Sequence, residues 1–339
     1  MSAVTQPVLR VDRLTTRFRT GYGTVTAVDD VSFTVGRGET LGLVGESGSG
    51  KSVTAMSVLR LVAPPGRTES GSVELNGVNL LALDEEKMRE VRGTQASLVF
   101  QNPMTALNPV FSVGWQMGEV LDAHGRTARK PAAIHSALAD VGMPDPVRQA
   151  ASYPHQMSGG MRQRVVIAMG MLNDPQLLIA DEPTTALDVT IQAQVLDLMK
   201  KLTHEHGTAL LLITHNMGVI ARMCDRVAVM YAGEIVEQAP VRELFADSRH
   251  PYTRGLLRSI PRIDQPRGQL PTLPGAPPDM AALPRGCRFR ERCAFAQVRC
   301  GAHPELKEVA PGHFTRCWVA QDGVPLGAQP GPARETAHA

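Results

Sequence analysis

The chain has 339 residues, with 35 Lys and Arg against 33 Asp and Glu for a formal charge of +2. That length buries at least one full core and leaves room for two unequal domains. No apolar run approaches the roughly 18 residues needed to cross a bilayer, which excludes a channel or permease.

Met1 to Arg10 lacks the basic and apolar regions of a secretory signal, so the expected compartment is the cytoplasm. Val8–Leu14 alternates apolar and polar residues and reads as a strand, and Val25–Val35 contains a second. Phe18, between them, is an aromatic that can stack on a base, though on its own it reads as core packing. The apolar Thr40–Val44 reads as a buried strand running into Gly45–Ser52, and a helix is expected from Ser52 to about Leu61. Gly45-Glu46-Ser47-Gly48-Ser49-Gly50-Lys51-Ser52 fits the pattern Gly, four residues, Gly, Lys, Ser. In a strand–loop–helix context its backbone N–H groups turn inward around phosphates. Lys51 adds a full positive charge and Ser52 a hydroxyl for magnesium.

After Pro64-Pro65-Gly66, Ser72–Val78 reads as a hairpin turning at Asn76-Gly77, Asp84–Val91 as a charged helix, and Ala96–Phe100 as a strand ending at Gln101. From Asn102 to Tyr153 strand patterning disappears and two or three helices are expected, for example Gly114–Ala123 and Ala128–Val141, forming a helical insert. Alternation resumes with a helix from about Met161, the strand Leu177–Ala180, a helix over Val189–His204 and the strand Ala209–Ile213. A hairpin, Val227–Tyr231 and Glu234–Gln238, closes the unit. Strand–helix alternation of this kind predicts an α/β fold with a parallel sheet covered by helices.

A linker is expected near Ser248, because eight prolines between Pro251 and Pro284 argue for an extended, docked connection. The segment from Arg249 to Cys317 is basic, with twelve Lys/Arg against five Asp/Glu. Its few aromatics and many prolines argue against nucleic-acid binding. Cys287, Cys293, Cys300 and Cys317 cluster there, and in a reducing cytosol clustered thiols point to metal before disulfides. Beyond Ala320 the Gly/Pro/Ala-rich chain is expected to be disordered to Ala339.

Leu177–Glu182 is an apolar strand ending in two carboxylates, which suits Asp181 to magnesium and Glu182 to an attacking water, although a capped turn has the same composition. Ile213-Thr214-His215 places an imidazole at the end of another strand. Ser158-Gly159-Gly160 opens a helix and makes a second anion site. One nucleotide does not need two cradles, so the economical arrangement is a dimer in which this loop closes over the partner's nucleotide.

Together these motifs resemble the ATP-binding subunits of ABC transporters, over roughly Val8 to Gln238. The resemblance identifies Gly45–Ser52 with the Walker A motif, Gln101 with the Q-loop, Ser158-Gly159-Gly160 with the signature and Leu178–Glu182 with Walker B. Ala186-Leu187-Asp188 matches the D-loop and His215 the switch histidine. It implies a P-loop ATPase core with antiparallel hairpins, ATP and Mg2+ as cofactors, and ATP contacts from Phe18, Gly45, Ser47, Gly48, Ser49, Gly50, Lys51 and Ser52. Magnesium falls to Ser52, Gln101 and Asp181, catalysis to Glu182, His215 and Gln101, and contacts in trans to Ser158, Gly159, Gly160 and Asp188. Phe18 matches the adenine-stacking aromatic in position only, with Tyr22 as competitor, and Met157 and Met161 stand where the signature usually has Leu and Gln.

Gln101–Pro109, the stretch from Met157 to Arg164, and His250–Leu257 are similar, more narrowly, to the dipeptide/oligopeptide importers. That likeness implies an ATPase domain over 1–247 with a helical subdomain at about 102–160, a C-terminal extension over 248–320 and a tail over 321–339. It associates four cysteines spaced like Cys287, Cys293, Cys300 and Cys317 with a four-iron four-sulfur (4Fe-4S) cluster, preferred here over zinc (Zn2+). The implied partners are a second ATPase subunit, as a heterodimer, two membrane permease subunits and an extracytoplasmic solute-binding protein, with the chain peripheral on the cytoplasmic face of the membrane. The implied cargo is di- or oligopeptides, with nickel or another small solute as alternative. Among rivals, a soluble DNA-repair ATPase would carry a long insertion between Walker A and signature, and a translation factor two cassettes; a redox-sensing binding module would explain only the last quarter of the chain.

Overall fold

A computed structural model describes residues 6–21, 23–100, 103–126, 130–185, 187–260, 272–324 and 326. Two sheets organise the described residues. Strands β1 (Leu9–Thr20), β2 (Gly23–Val35), β4 (Gly66–Leu75) and β5 (Val78–Asn79) form an antiparallel sheet in the order β2-β1-β4-β5. Between β2 and β4 the chain lays down β3 (Thr40–Val44) and helix α1 (Lys51–Val58). Helix α2 (Glu85–Val91), capped by Asp84, follows β5 and leads into β6 (Ala96–Val99).

The helical insert contains α3 (Pro103–Ala106), α4 (Val113–Asp122), α5 (Lys130–Asp140) and α6 (Pro146–Ala151), then α7 (Gly159–Met171) returns to β7 (Leu177–Asp181). Helix α8 (Val189–His206), β8 (Ala209–Thr214), α9 (Met217–Met223), β9 (Arg226–Tyr231) and β10 (Glu234–Pro240) complete the alternation. The second sheet has the order β9-β3-β8-β7-β6 in its parallel part, with β10 antiparallel to β9. Every residue of β3, β7 and β8 is buried, as expected for strands with both faces covered. Pairing Val44 with Thr214 and Asp181 with Ile213 brings the ends of three strands to one edge of the sheet. That C-terminal edge is where open α/β sheets bind ligands.

Part of the expected extended, docked connection in the C-terminal segment is helical. After α10 (Val241–Ala246), Pro251 opens the eight-residue helix α11 (Pro251–Arg258). Proline is tolerated at the first helical position, where its missing N–H has no partner to lose, so Pro251 starts a helix rather than preventing one. Strands β11 (Lys307–Ala310) and β12 (His313–Thr315) then join the main sheet through β10, pairing Glu237 with Thr315 and Gln238 with Phe314. The extension is therefore continuous with the ATPase sheet. Helix α12 (Trp318–Gln321) follows, and Leu326 is buried against Cys317, Val319 and Ala320, so the chain is packed beyond the expected boundary at Ala320. The rest of the expected tail, 327–339, lies outside the described residues.

Candidate functional site

Gly45–Ser52 joins the end of β3 to the start of α1. Gly50 is the N-cap of α1 with φ 104° and supplies no side-chain cap, so the first helical amides remain free for an anion. A Cβ there would sit 2.3 Å from the Ala27 carbonyl, and one at Gly45 would sit 2.2 Å from the Met230 carbonyl. Only glycine fits either place. The Lys51 ammonium is buried and donates to the carbonyls of Gly45 and Glu46 at 2.9 and 2.8 Å, and to Ser49 Oγ at 3.4 Å. Burial lowers its pKa, opposed by the charges of Glu182, Asp181 and Glu46.

Asp181 ends β7 beside this loop. Its carboxylate accepts a hydrogen bond from the Ser52 hydroxyl, yet burial dominates and raises its pKa. Oδ1 is buried without a hydrogen-bond partner, an oxygen of the kind a hard cation takes up. Ser52 and Asp181 thus meet, and both carry oxygens of the kind a hard cation takes up. Glu182 has φ 48°, a strained conformation for a non-glycine residue, held by its N–H bond to the Ile213 carbonyl at 2.9 Å. Its Oε1 lies 2.9 Å from His215 Nδ1 and its Oε2 accepts from the Thr185 hydroxyl at 2.8 Å. Partial burial alone would raise the Glu182 carboxyl, but the hydrogen bonds from His215 and Thr185 outweigh it and hold the group below its ordinary range. Glu182 and His215 were expected to share a site; Thr185, which orients the carboxylate, was missed although it follows Glu182 by three residues.

Ser158, Gly159 and Gly160 open helix α7. Ser158 accepts from the Met161 N–H at 3.3 Å as the N-cap of α7, and Ser158 and Gly159 are exposed. Gly160 packs on α8, where a Cβ would meet Ile191 at 2.6 Å. Met157 is buried and Met161 half-buried in the core of the helical insert, so both departures from the usual motif fill apolar positions. Asp188 caps α8, accepting from the amides of Thr190 and Ile191 at 3.1 and 3.0 Å. Phe18 is half-buried on β1, its ring lying over Gly66. Gln101, Tyr22 and Ala186 lie outside the described residues.

The four C-terminal cysteines gather in the extension. Burial pushes Cys287 up to about 11 and Cys293 up to about 12, and raises Cys317 as well, with neighbouring cysteines adding to each shift. A backbone amide is aimed at every sulfur: Phe289 at Cys287, Phe295 at Cys293, Val319 and Ala320 at Cys317, and Gln297 at Cys300 with 3.4 Å. Such donors stabilise thiolates. Among the described residues, however, no three His, Cys, Asp or Glu side chains stand in an arrangement that could hold a metal ion, so the expected cluster finds donors of suitable chemistry but no ligating geometry.

A family profile described as ABC transporter matches residues 28–185, and one described as the oligopeptide/dipeptide transporter C-terminal region matches residues 236–300. A peptide import ATP-binding protein of Brucella ovis is 53% identical over 327 residues, covering 92% of this chain and 97% of that protein. Another from Brucella abortus is 47% identical over 321 residues, covering 94% and 96%. Among solved structures, a dimeric ATP-binding cassette in a post-hydrolysis state bound to ADP and Pi aligns with TM-score 0.62 and 27% identity over 69% of this chain and 99% of that one. A protein from Clostridium perfringens that is part of an ABC transporter complex aligns with TM-score 0.61 and 25% identity over 71% and 91%.

Proposed function

The chain belongs to the ATP-binding subunits of ABC transporters, with the C-terminal region of the oligopeptide/dipeptide branch, and from that premise we propose that it hydrolyses ATP to power uptake of di- and oligopeptides through separate membrane subunits. The observation that carries the mechanism is the convergence of Gly45–Ser52, Asp181, Glu182 and His215 on one edge of the parallel sheet.

The amides of Gly48 to Ser52 and the Lys51 ammonium bind the phosphates. Ser52, Asp181 and Gln101 would hold magnesium, which would neutralise charge on the phosphate oxygens. Glu182, kept ionised by His215 and Thr185, polarises the water for in-line attack on the γ-phosphate, while the exposed edge of His215 reaches that phosphate. Ser158, Gly159, Gly160 and Asp188 act in trans: the exposed signature loop closes on the nucleotide of a second ATPase subunit, and hydrolysis reopens the pair. Phe18 stacks on the adenine ring from β1, an inner strand of the antiparallel sheet.

A mainly apolar cavity of about 590 Å³ between β6, α4 and α7, lined by Leu61, Phe100, Val120 and Met169 among others, supports docking of a permease segment against the helical insert. Among the described residues no helix is long and apolar enough to cross a membrane, which fits a peripheral subunit on the cytoplasmic face. A binding protein outside the membrane supplies the cargo. The four cysteines are the residues that would hold an iron–sulfur cluster, with zinc as alternative: their clustering and their N–H donors support that reading, while their present arrangement offers no ligating geometry. Metal analysis of anaerobically purified protein finding neither iron nor zinc removes that assignment.

Glu182→Gln tests the mechanism. It keeps the side chain's size but removes the charge that polarises water, so turnover falls by about 10³-fold while ATP binding is retained. Near-normal phosphate release from the variant would refute the role of Glu182.

A further inference from the structure

Segments far apart in the chain meet at the phosphate loop. Glu46, its second residue, uses all of its polar groups there. Its N–H donates to the Tyr252 hydroxyl at 2.8 Å and its carbonyl accepts from Lys51 at 2.8 Å. Its carboxylate is gripped by both arms of Arg292, Nη1 to Oε2 at 2.7 Å and Nη2 to Oε1 at 3.1 Å. Arg292 lies in the cysteine segment, next to Cys293. Its side chain is only 5% exposed, its Cζ stands 5.7 and 5.8 Å from the ring centres of Tyr231 and Phe289, and its Nε donates to the Pro274 carbonyl at 2.8 Å.

A forked pair of this kind fixes orientation as well as charge. Both matter at this place. The Glu46 carboxylate acts electrostatically on Lys51, so an unopposed charge there would work against any polyphosphate that Lys51 is meant to hold. The Glu46 main chain, meanwhile, is part of the cradle itself. We infer that Arg292 is a positioning residue for nucleotide binding: from the C-terminal extension it neutralises and fixes Glu46, presetting the loop that carries Lys51. Arg292 acts through Glu46.

The inference rests on reading Gly45–Ser52 as the ATP loop, and its test separates the two. ATP with Mg2+ is titrated calorimetrically into the full-length chain, its Arg292→Gln and Glu46→Gln variants, and the double variant, with the thermal midpoint of each recorded. Arg292→Gln leaves a carboxylate unopposed near the phosphates and weakens ATP binding about tenfold, the effect of one uncompensated charge near an anionic ligand. Adding Glu46→Gln removes that charge and brings the affinity back to within about threefold of wild type. Arg292→Lys, which keeps the charge and loses the fork, falls between the two, about threefold weaker than wild type, and if Arg292→Gln does not fold, an Arg292→Lys affinity equal to wild type's overturns the inference. An Arg292→Gln affinity within about twofold of wild type, or a double variant as weak as Arg292→Gln, would overturn the inference and leave Arg292 a structural residue. A wild-type chain that bound no ATP would overturn the nucleotide reading on which it rests.

Discussion

Glu237→Ala probes how the extension is held to the ATPase sheet. Glu237 is fully buried on β10, and its carboxyl oxygens accept from the backbone N–H of Arg249 at 2.5 Å, that of His250 at 3.0 Å and His313 Nε2 at 2.7 Å. One side chain therefore positions both the entry to α11 and strand β12. Alanine orphans all three donors. At about 1–3 kcal/mol for each unsatisfied buried group, less what water entering the cavity recovers, the loss is about 4 kcal/mol, in the range found when one partner of a buried pair is removed. For a chain of 339 residues that corresponds to a thermal midpoint lower by about 6 °C. Glu237→Gln keeps one acceptor oxygen and should lose about half as much. Differential scanning calorimetry reads the shift, and limited proteolysis should show the extension released first. A midpoint within about 1 °C of wild type would refute the proposed anchoring.

Acid sensitivity follows from His250, whose buried ring accepts from the Tyr252 N–H at 3.1 Å and whose pKa burial pushes down from 6.5 to about 3. As the unfolded chain takes up the proton first, this group's contribution to stability is intact above about pH 6.5. It falls by about 1.4 kcal/mol per unit between there and about pH 3. Melting at pH 7.5 and 5.5 checks it: His250→Asn, which keeps an acceptor for Tyr252, should show the shallower pH dependence, and equal slopes would contradict the assignment. Gly50→Ala drives a Cβ to 2.3 Å from the Ala27 carbonyl at φ 104°, displacing the loop. Losing about two charge-assisted amide–phosphate bonds weakens ATP binding more than about a hundredfold, measurable by equilibrium titration with circular dichroism as the folding control.

The parts of this chain that were legible in sequence are those whose chemistry is local. Thr40–Val44, Leu177–Ala180 and Ala209–Ile213 read as strands because burial on both faces makes them almost wholly apolar, and the residues at their ends inherit the site from sheet topology. The strand β1 runs on to Thr20, beyond the expected Leu14, because register shifts at Val11/Leu14, Leu14/Thr16 and Thr16/Arg17 break the alternation that marks a strand. Helix α11 was hidden by Pro251, which resembles a breaker until its position at the first turn is known. Strands β11 and β12 have four and three residues, too few to carry a period. Least legible were Tyr252 and Arg292, which reach Glu46 across 206 and 246 residues, since no local pattern marks a partner so far away.

The most direct measurement is uptake of labelled di- and oligopeptides, with nickel as comparison, in cells lacking this chain and supplied with either wild type or Glu182→Gln. The account predicts that wild type alone restores peptide uptake and that nickel uptake does not change. Restoration by Glu182→Gln would contradict hydrolysis as the power source, and no peptide response to wild type would contradict the peptide cargo.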